Sequence, residues 1–131
     1  NSLANEIRQI APPNVTFICE SPSFEELAHY IRKSAFVLAP YCPDSVLSSG
    51  ILMDSLSFGS KIIGPEVGSF KDYAREKRLN VYTFHDYEDI EKTVACYKTT
   101  PISLEDYRSF LNENNWEHFG NRIIKLVKSL K

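Results

Sequence analysis

No stretch of this 131-residue chain approaches the run of about 18 or more apolar residues that a membrane-spanning helix requires. Cysteine is scarce and awkwardly placed. Cys19, Cys42 and Cys96 form an odd, widely spaced set without a C-x-x-C pair, which argues against a disulfide framework and a zinc site and fits reduced thiols in a cytosolic protein. Neither sign of charge dominates: 15 basic and 17 acidic residues are well mixed, so the electrostatic footprint of a nucleic-acid binder is missing. Glycine and proline, at 5 and 7 residues, are at ordinary usage, and no internal repeat or linker is visible. No signal-peptide pattern follows Asn1, and the absence of an initiating Met points to a piece of something larger.

What is present fits one globular domain. A length of 131 residues suits one domain better than two, and 43% apolar with 24% charged residues is close to the globular average. A chain of this size buries roughly two-thirds of its unfolded surface, enough for a core without staples.

Segment types alternate along the chain. Residues 2–10 read as a short helix, or the end of one, closed by Pro12-Pro13. Val15–Cys19 (VTFIC) is β-branched and aromatic and predicts a strand. Ser23-Phe24-Glu25-Glu26 is an S-x-x-E capping box, and behind it Phe24, Leu27, Ile31 and Ala35 follow a helical stripe. Ala35–Pro40 (AFVLAP) is apolar throughout, which suits a strand buried on both faces of a parallel sheet. After a loop over 41–47, a helix runs from about Ser49 to Phe58, with Gly59 at the position past its end. Lys61–Gly64 (KIIG) predicts a third strand, and Ser69-Phe70-Lys71-Asp72 opens a helix with an S-x-x-D variant of the box. Val81–Phe84 predicts a fourth strand, followed by a helix over 86–98 striped by Tyr87, Ile90, Val94 and Tyr97. Ser103 caps a helix carrying Leu104, Tyr107 and Leu111, and a last amphipathic helix carries Trp116, Phe119, Ile123, Val127 and Leu130.

This alternation predicts an α/β fold: a Rossmann-like parallel sheet of about four strands, helices on both faces, and further helices at the end. Four strands make a thin sheet and the chain opens on a helix. A missing leading strand accounts for both.

Ligands of open parallel sheets bind outside the carboxyl ends of the strands, at the point where strand order reverses. Of the loops there, residues 41–50 feed directly into a helix whose N-terminus offers unpaired N–H groups and a partial positive charge. Ser48 and Ser49 add hydroxyls, and Gly50 leaves an open approach, together a plausible cradle for a phosphate or diphosphate. Asp54 lies four residues after Gly50 on the same helix face, leaning toward the lane that Gly50 leaves free. A carboxylate there suits the 2′- and 3′-hydroxyls of a ribose one step beyond the diphosphate. The plain alternative is that Ser48 or Ser49 is only a helix cap and Asp54 a solvated residue.

At these residues the chain resembles a family. Asn14-Val15-Thr16-Phe17, Phe24-Glu25-Glu26-Leu27, residues 35–40, Met53-Asp54-Ser55-Leu56-Ser57-Phe58-Gly59, Ile62-Ile63-Gly64 and Gly68-Ser69-Phe70-Lys71-Asp72 follow one another as in a known pattern. It is that of the donor-binding C-terminal domain of retaining nucleotide-sugar glycosyltransferases with two Rossmann-like domains (the GT-B fold). The likeness spans about half the chain, from Asn14 to Asp72. It implies that residues 1–131 are a single partial domain of a two-domain transferase, whose acceptor-binding domain is missing here. It also implies that Asp54 contacts the ribose, that the backbone of Ser48-Ser49-Gly50 receives the diphosphate, and that Ile18, Cys19 and Glu20 pass the base.

The full enzyme would be a cytoplasmic hexosyltransferase, also at the inner face of the membrane as a peripheral protein. It would use a nucleoside-diphosphate-sugar as substrate, with no metal and no other cofactor. The family's terminal helix crosses toward the other domain, so its apolar face here would be exposed or covered by a second copy in a homodimer.

The sequence also departs from the pattern. The family's first glutamate falls on Val46, with Asp44, Ser45 and Tyr41 as the nearby substitutes. The basic pair that neutralises the diphosphate falls before Asn1. His85-Asp86 reads as a helix cap, Glu66 as a loop acid near the cleft, and Lys61 and Lys71 as sources of positive charge for phosphates. A second reading, from another class, is a noncatalytic Rossmann-like regulatory or assembly module with a vestigial anion pocket.

Overall fold

The computed structural model describes residues 2–42, 44 and 49–130. In chain order they form α1 (Ser2–Ile10), α2 (Phe24–Lys33), β1 (Val37–Leu38), α3 (Gly50–Ser57), β2 (Ile62–Pro65), α4 (Gly68–Ala74), β3 (Val81–Phe84), α5 (Tyr87–Tyr97), α6 (Leu104–Glu113) and α7 (Trp116–Ser129). The chain is thus α/β, with one parallel sheet of three strands in the order β1-β2-β3. Val37 lies opposite Ile62, and β2 pairs with β3 from Ile62 opposite Val81 to Pro65 opposite Phe84. Because all pairs are parallel, the loops after Leu38, Pro65 and Phe84 leave from the same edge. Strand order never reverses among the described strands, so they do not themselves form the crevice of a topological switch point.

Two strand expectations need correction. Val15–Cys19 forms no ladder among the described residues; Val15 N–H turns back to the Pro12 carbonyl at 2.9 Å, and Val15 and Ile18 are each half-exposed. β-Propensity without a neighbouring edge to satisfy the backbone does not make a strand. The run 35–40 keeps only two residues in β1, held by Val37 N–H to the Lys61 carbonyl and Ala39 N–H to the Ile63 carbonyl. Ala39 is buried but Leu38 is 45% exposed, so β1 is an edge strand covered on one side.

The helix ends follow the capping chemistry closely. Ser23 Oγ accepts from Glu26 N–H at 3.2 Å while the Glu26 carboxylate accepts from Ser23 N–H at 2.8 Å, the reciprocal box expected before α2. Those bonds hold the Glu26 carboxyl below its usual range. At the end of α3, Gly59 takes φ 67°, letting Gly59 N–H reach the Leu56 carbonyl and Ser60 N–H the Ser55 carbonyl. Ser69 does not open α4. The cap position is Val67, Gly68 turns at φ 49°, and Ser69 Oγ has no hydrogen-bond partner among the described residues. The helix opens two residues earlier than the S-x-x-D pattern indicates, through a left-handed turn that the glycine at 68 supplies.

The core is one cluster of Ala39, Leu52, Leu56, Ile62, Phe70, Leu79, Val81 and Tyr107. It joins β2 and β3 to α3, α4 and α6, with the Tyr107 hydroxyl donating to the Leu56 carbonyl. Gly64 is part of this packing, since a Cβ there would overlap the Phe70 ring. Tyr82 of β3 stacks on Tyr97 of α5 with ring centres 4.3 Å apart. Lys61 is buried, its Nζ donating to the carbonyls of Tyr97 at 2.6 Å and Lys98 at 3.2 Å, a cation against the negative end of α5. The stripes of α5 and α7 bury no residue, and that of α6 buries only Tyr107. No described helix is long and apolar enough to cross a membrane.

Arg78 ties the turn after α4 to α6. It bonds Glu76 at 2.9 Å and Glu113 at 2.8 Å, and its guanidinium lies 5.5 Å from the centre of the Phe110 ring. Hydrogen bonds from Arg78 hold the carboxyls of Glu76 and Glu113 below their usual values. A depressed folded-state value contributes stability above the unfolded value, and that contribution is lost as pH falls through the folded one. Arg78→Met is therefore expected to lower the urea midpoint at pH 7. The gap from the parent protein should close at acidities well below the ordinary carboxylate range of about 4. Paired urea titrations at the two acidities check it; a gap independent of pH would contradict the assignment.

Candidate functional site

The carboxyl edge of the sheet gathers three loops. After β1 the chain passes Tyr41 and re-enters as α3, whose N-cap is Ser49. Ser49 is 4% exposed; its Oγ accepts from Leu52 N–H at 3.2 Å and donates to the Tyr41 hydroxyl at 3.4 Å. The hydroxyl is thus committed to the helix, and only the end-turn N–H groups and the dipole remain for a ligand.

Gly50 begins α3 with no described residue within 4 Å of where a Cβ would sit. Internal packing therefore does not require glycine at this position. Asp54 follows one turn later, half-buried, and its carboxylate makes no hydrogen bond or ion pair with a described residue. Gly50 and Asp54 share a helix face by their four-residue spacing, and the structure keeps both within α3.

The remaining predicted residues are less well gathered. Asp44 is exposed in a single 3-10 position. Ser45, Val46 and Ser48 lie outside the described residues. Cys19 and Glu20 are exposed in the irregular stretch before α2, and no hydrogen bond or ion pair joins either to Ser49, Gly50 or Asp54. Lys61 belongs elsewhere: it opens the amino end of β2 and its amine is consumed by the end of α5, so it supplies no charge at this edge. The strand direction decides this, because a residue preceding a parallel strand sits at the opposite edge from one following it.

The sequence reading missed one pairing. Glu66 follows β2 and His85 follows β3, and His85 Nε2 meets Glu66 Oε2 at 2.5 Å. Lys71 Nζ, on α4, stands 4.0 Å from the other Glu66 oxygen. The signal was available: strands KIIGP and VYTF pair in parallel from Ile62 with Val81, so the residues just beyond their ends fall side by side. Glu66 N–H also donates to the Phe84 carbonyl at 3.1 Å, carrying the ladder one step further and fixing the acid beside the histidine. His85 N–H and Asp86 N–H both donate to the Asp89 carboxylate, at 3.3 and 3.4 Å. With Lys92 at 3.0 Å, these bonds hold the Asp89 carboxyl below its usual value, the lysine contributing most. Asp86 takes the N-cap position of α5, as its place after β3 predicts.

Chemically, this edge offers a helix N-terminus, an open glycine, an acid one turn in without a partner among the described residues, and a partly exposed acid–base pair at the neighbouring strand ends. Comparison with protein-family models, with curated proteins and with solved structures found no match.

Proposed function

We propose that this chain is the donor-binding domain of a GT-B-type glycosyltransferase, a two-domain enzyme that moves a sugar from a nucleoside-diphosphate donor to a glycan or lipid-linked acceptor. In this reading the sheet belongs to a Rossmann-like domain with a fourth strand and helices on both faces. The diphosphate sits against the N–H groups at the start of α3, and Asp54 accepts hydrogen bonds from the ribose hydroxyls. The observation that carries it is the pairing of Gly50, open at a capped helix start, with Asp54 one turn on, whose carboxylate has no partner among the described residues, at the carboxyl edge of a parallel sheet. Helix-end N–H groups offset the diphosphate charge in this scheme, with Lys71 of α4, which faces Glu66, as a further basic side chain.

Titrating UDP and GDP into the chain, followed by the amide resonances of residues 50–53, is expected to show weak binding of one of them at α3. Asp54→Ala is expected to weaken that binding about 10-fold or more, the scale of a hydrogen bond to a charged group. Unchanged affinity removes the ribose role. Absence of binding by both this chain and the full enzyme overturns the reading.

A second reading is a noncatalytic regulatory or assembly module. The commitment of the Ser49 hydroxyl to its own helix and the unreversed strand order favour it. It expects neither nucleotide to bind at any concentration that spares the fold.

A further inference from the structure

We propose that α7 is an interfacial helix that docks this chain on anionic lipid surfaces. Its sequence divides cleanly at 3.6 residues per turn. Trp116, Phe119, Ile123, Val127 and Leu130 run along one side, the first four within the helix and Leu130 at its cap. Arg122, Lys125 and Lys128 occupy the other, Arg122 and Lys128 at its two margins. No described residue buries the apolar side: Trp116 is 86% exposed, Phe119 54% and Val127 52%. The hydrophobic core draws no residue from α7, and its bond to the preceding helix is from Arg122 to the Glu113 carbonyl at 3.0 Å.

Charge identifies the occupant. Of the chain's 15 basic and 17 acidic residues, residues 116–131 hold four basic and one acidic, leaving 11 and 16 to the rest. The body is therefore net acidic and the helix net basic, so an anionic surface attracts α7 and repels the remainder. An exposed apolar stripe with aromatic side chains, bordered by Lys and Arg whose stems reach back to phosphate level, has the form of a helix lying in a headgroup layer. At about 1.5 Å per residue its 14 residues are too short to span a bilayer of about 30 Å. A second copy is the less suitable cover, because pairing two such helices face to face would line the seam with Arg122 and Lys128 from both chains, with Glu117 their only acid. The inference is independent of nucleotide binding, and it gives α7 a lipid surface in place of the acceptor domain toward which the family's terminal helix crosses.

The test is cosedimentation of the 131-residue chain with vesicles of phosphatidylcholine alone and of phosphatidylcholine mixed with phosphatidylglycerol. Trp116, the single tryptophan, serves as a fluorescent probe. The expected result is partition onto the mixed vesicles with a blue shift of Trp116 emission, weakened by added salt. Lys125→Gln and Lys128→Gln should each weaken it about fivefold, the scale of one basic residue near an anionic surface. Ile123→Asp should abolish it while leaving the melting curve unchanged, since α7 adds nothing to the core. No partition onto anionic vesicles, or equal partition onto neutral ones without salt dependence, overturns the proposal. So does a dimer by sedimentation velocity whose Trp116 emission is already blue-shifted and does not respond to vesicles.

Discussion

Truncation of Phe70 to alanine is expected to cost about 3–5 kcal/mol of folding stability, a large share of the total of about 5–15 kcal/mol for a domain. The ring is completely buried and lies among Leu52, Leu56, Ile62, Leu79 and Val81, so its removal opens a cavity bounded by two strands and two helices. The walls belong to hydrogen-bonded elements and collapse only partially, which places the loss near the range for buried aromatics. Effects should reach the carboxyl edge as well. The Tyr41 ring centre lies 6.2 Å from that of Phe70, and the Tyr41 hydroxyl accepts from Ser49 at the start of α3. Urea unfolding measures the first effect, and faster amide exchange at residues 50–52 the second. A loss below about 1 kcal/mol, the scale of a surface change, would contradict the placement of this ring.

The second large effect comes from adding atoms rather than removing them. In Gly64→Ala the new methyl would stand inside the van der Waals radius of the Phe70 ring, with both residues buried in the same layer. Overpacking of this kind costs about 1–3 kcal/mol, and the upper end applies because a fully buried ring has no free volume to move into. Gly64→Ala combined with Phe70→Leu should cost less than the sum of the two, as expected for side chains sharing one space. Gly50→Ala provides the contrast. Nothing lies near its Cβ position, so the same change at the start of α3 should leave stability unchanged or raise it by up to about 1 kcal/mol. If a diphosphate approaches that backbone, however, the methyl should weaken UDP or GDP binding. Thermal melts of the three variants separate a glycine required by packing from one that leaves room for a ligand.

These two glycines also show how far the sequence could be read. Local signals carried well. The Ser23 box, the Ser49 and Ser103 caps and the Gly59 stop each depend on residues within one turn of one another, and each forms. Signals that depend on a distant partner carried unevenly: the strands at 62–65 and 81–84 form against each other. VTFIC has strand composition but no neighbouring edge among the described residues. Leu38 looked buried because its run was apolar, yet the side away from the core is open. Within the candidate site, the placement of Ser49, Gly50 and Asp54 on one helix and its cap was legible because it is set locally. The Glu66–His85 contact was not, because 19 positions separate the two residues and only the parallel register of β2 and β3 brings them together.

Lys61 carries a consequence of another kind. Its amine donates hydrogen bonds to two main-chain carbonyls at the end of α5, beside the Phe36 ring. Buried there, it offers little surface to an acylating reagent. Chemical labelling at this position therefore requires α5 to lift from the strand first, whereas most lysines of the chain can react directly. The chain contains an intrinsic clock for one local opening, and the rate at which Lys61 becomes labelled would report how often that helix departs, residue by residue and without unfolding the rest.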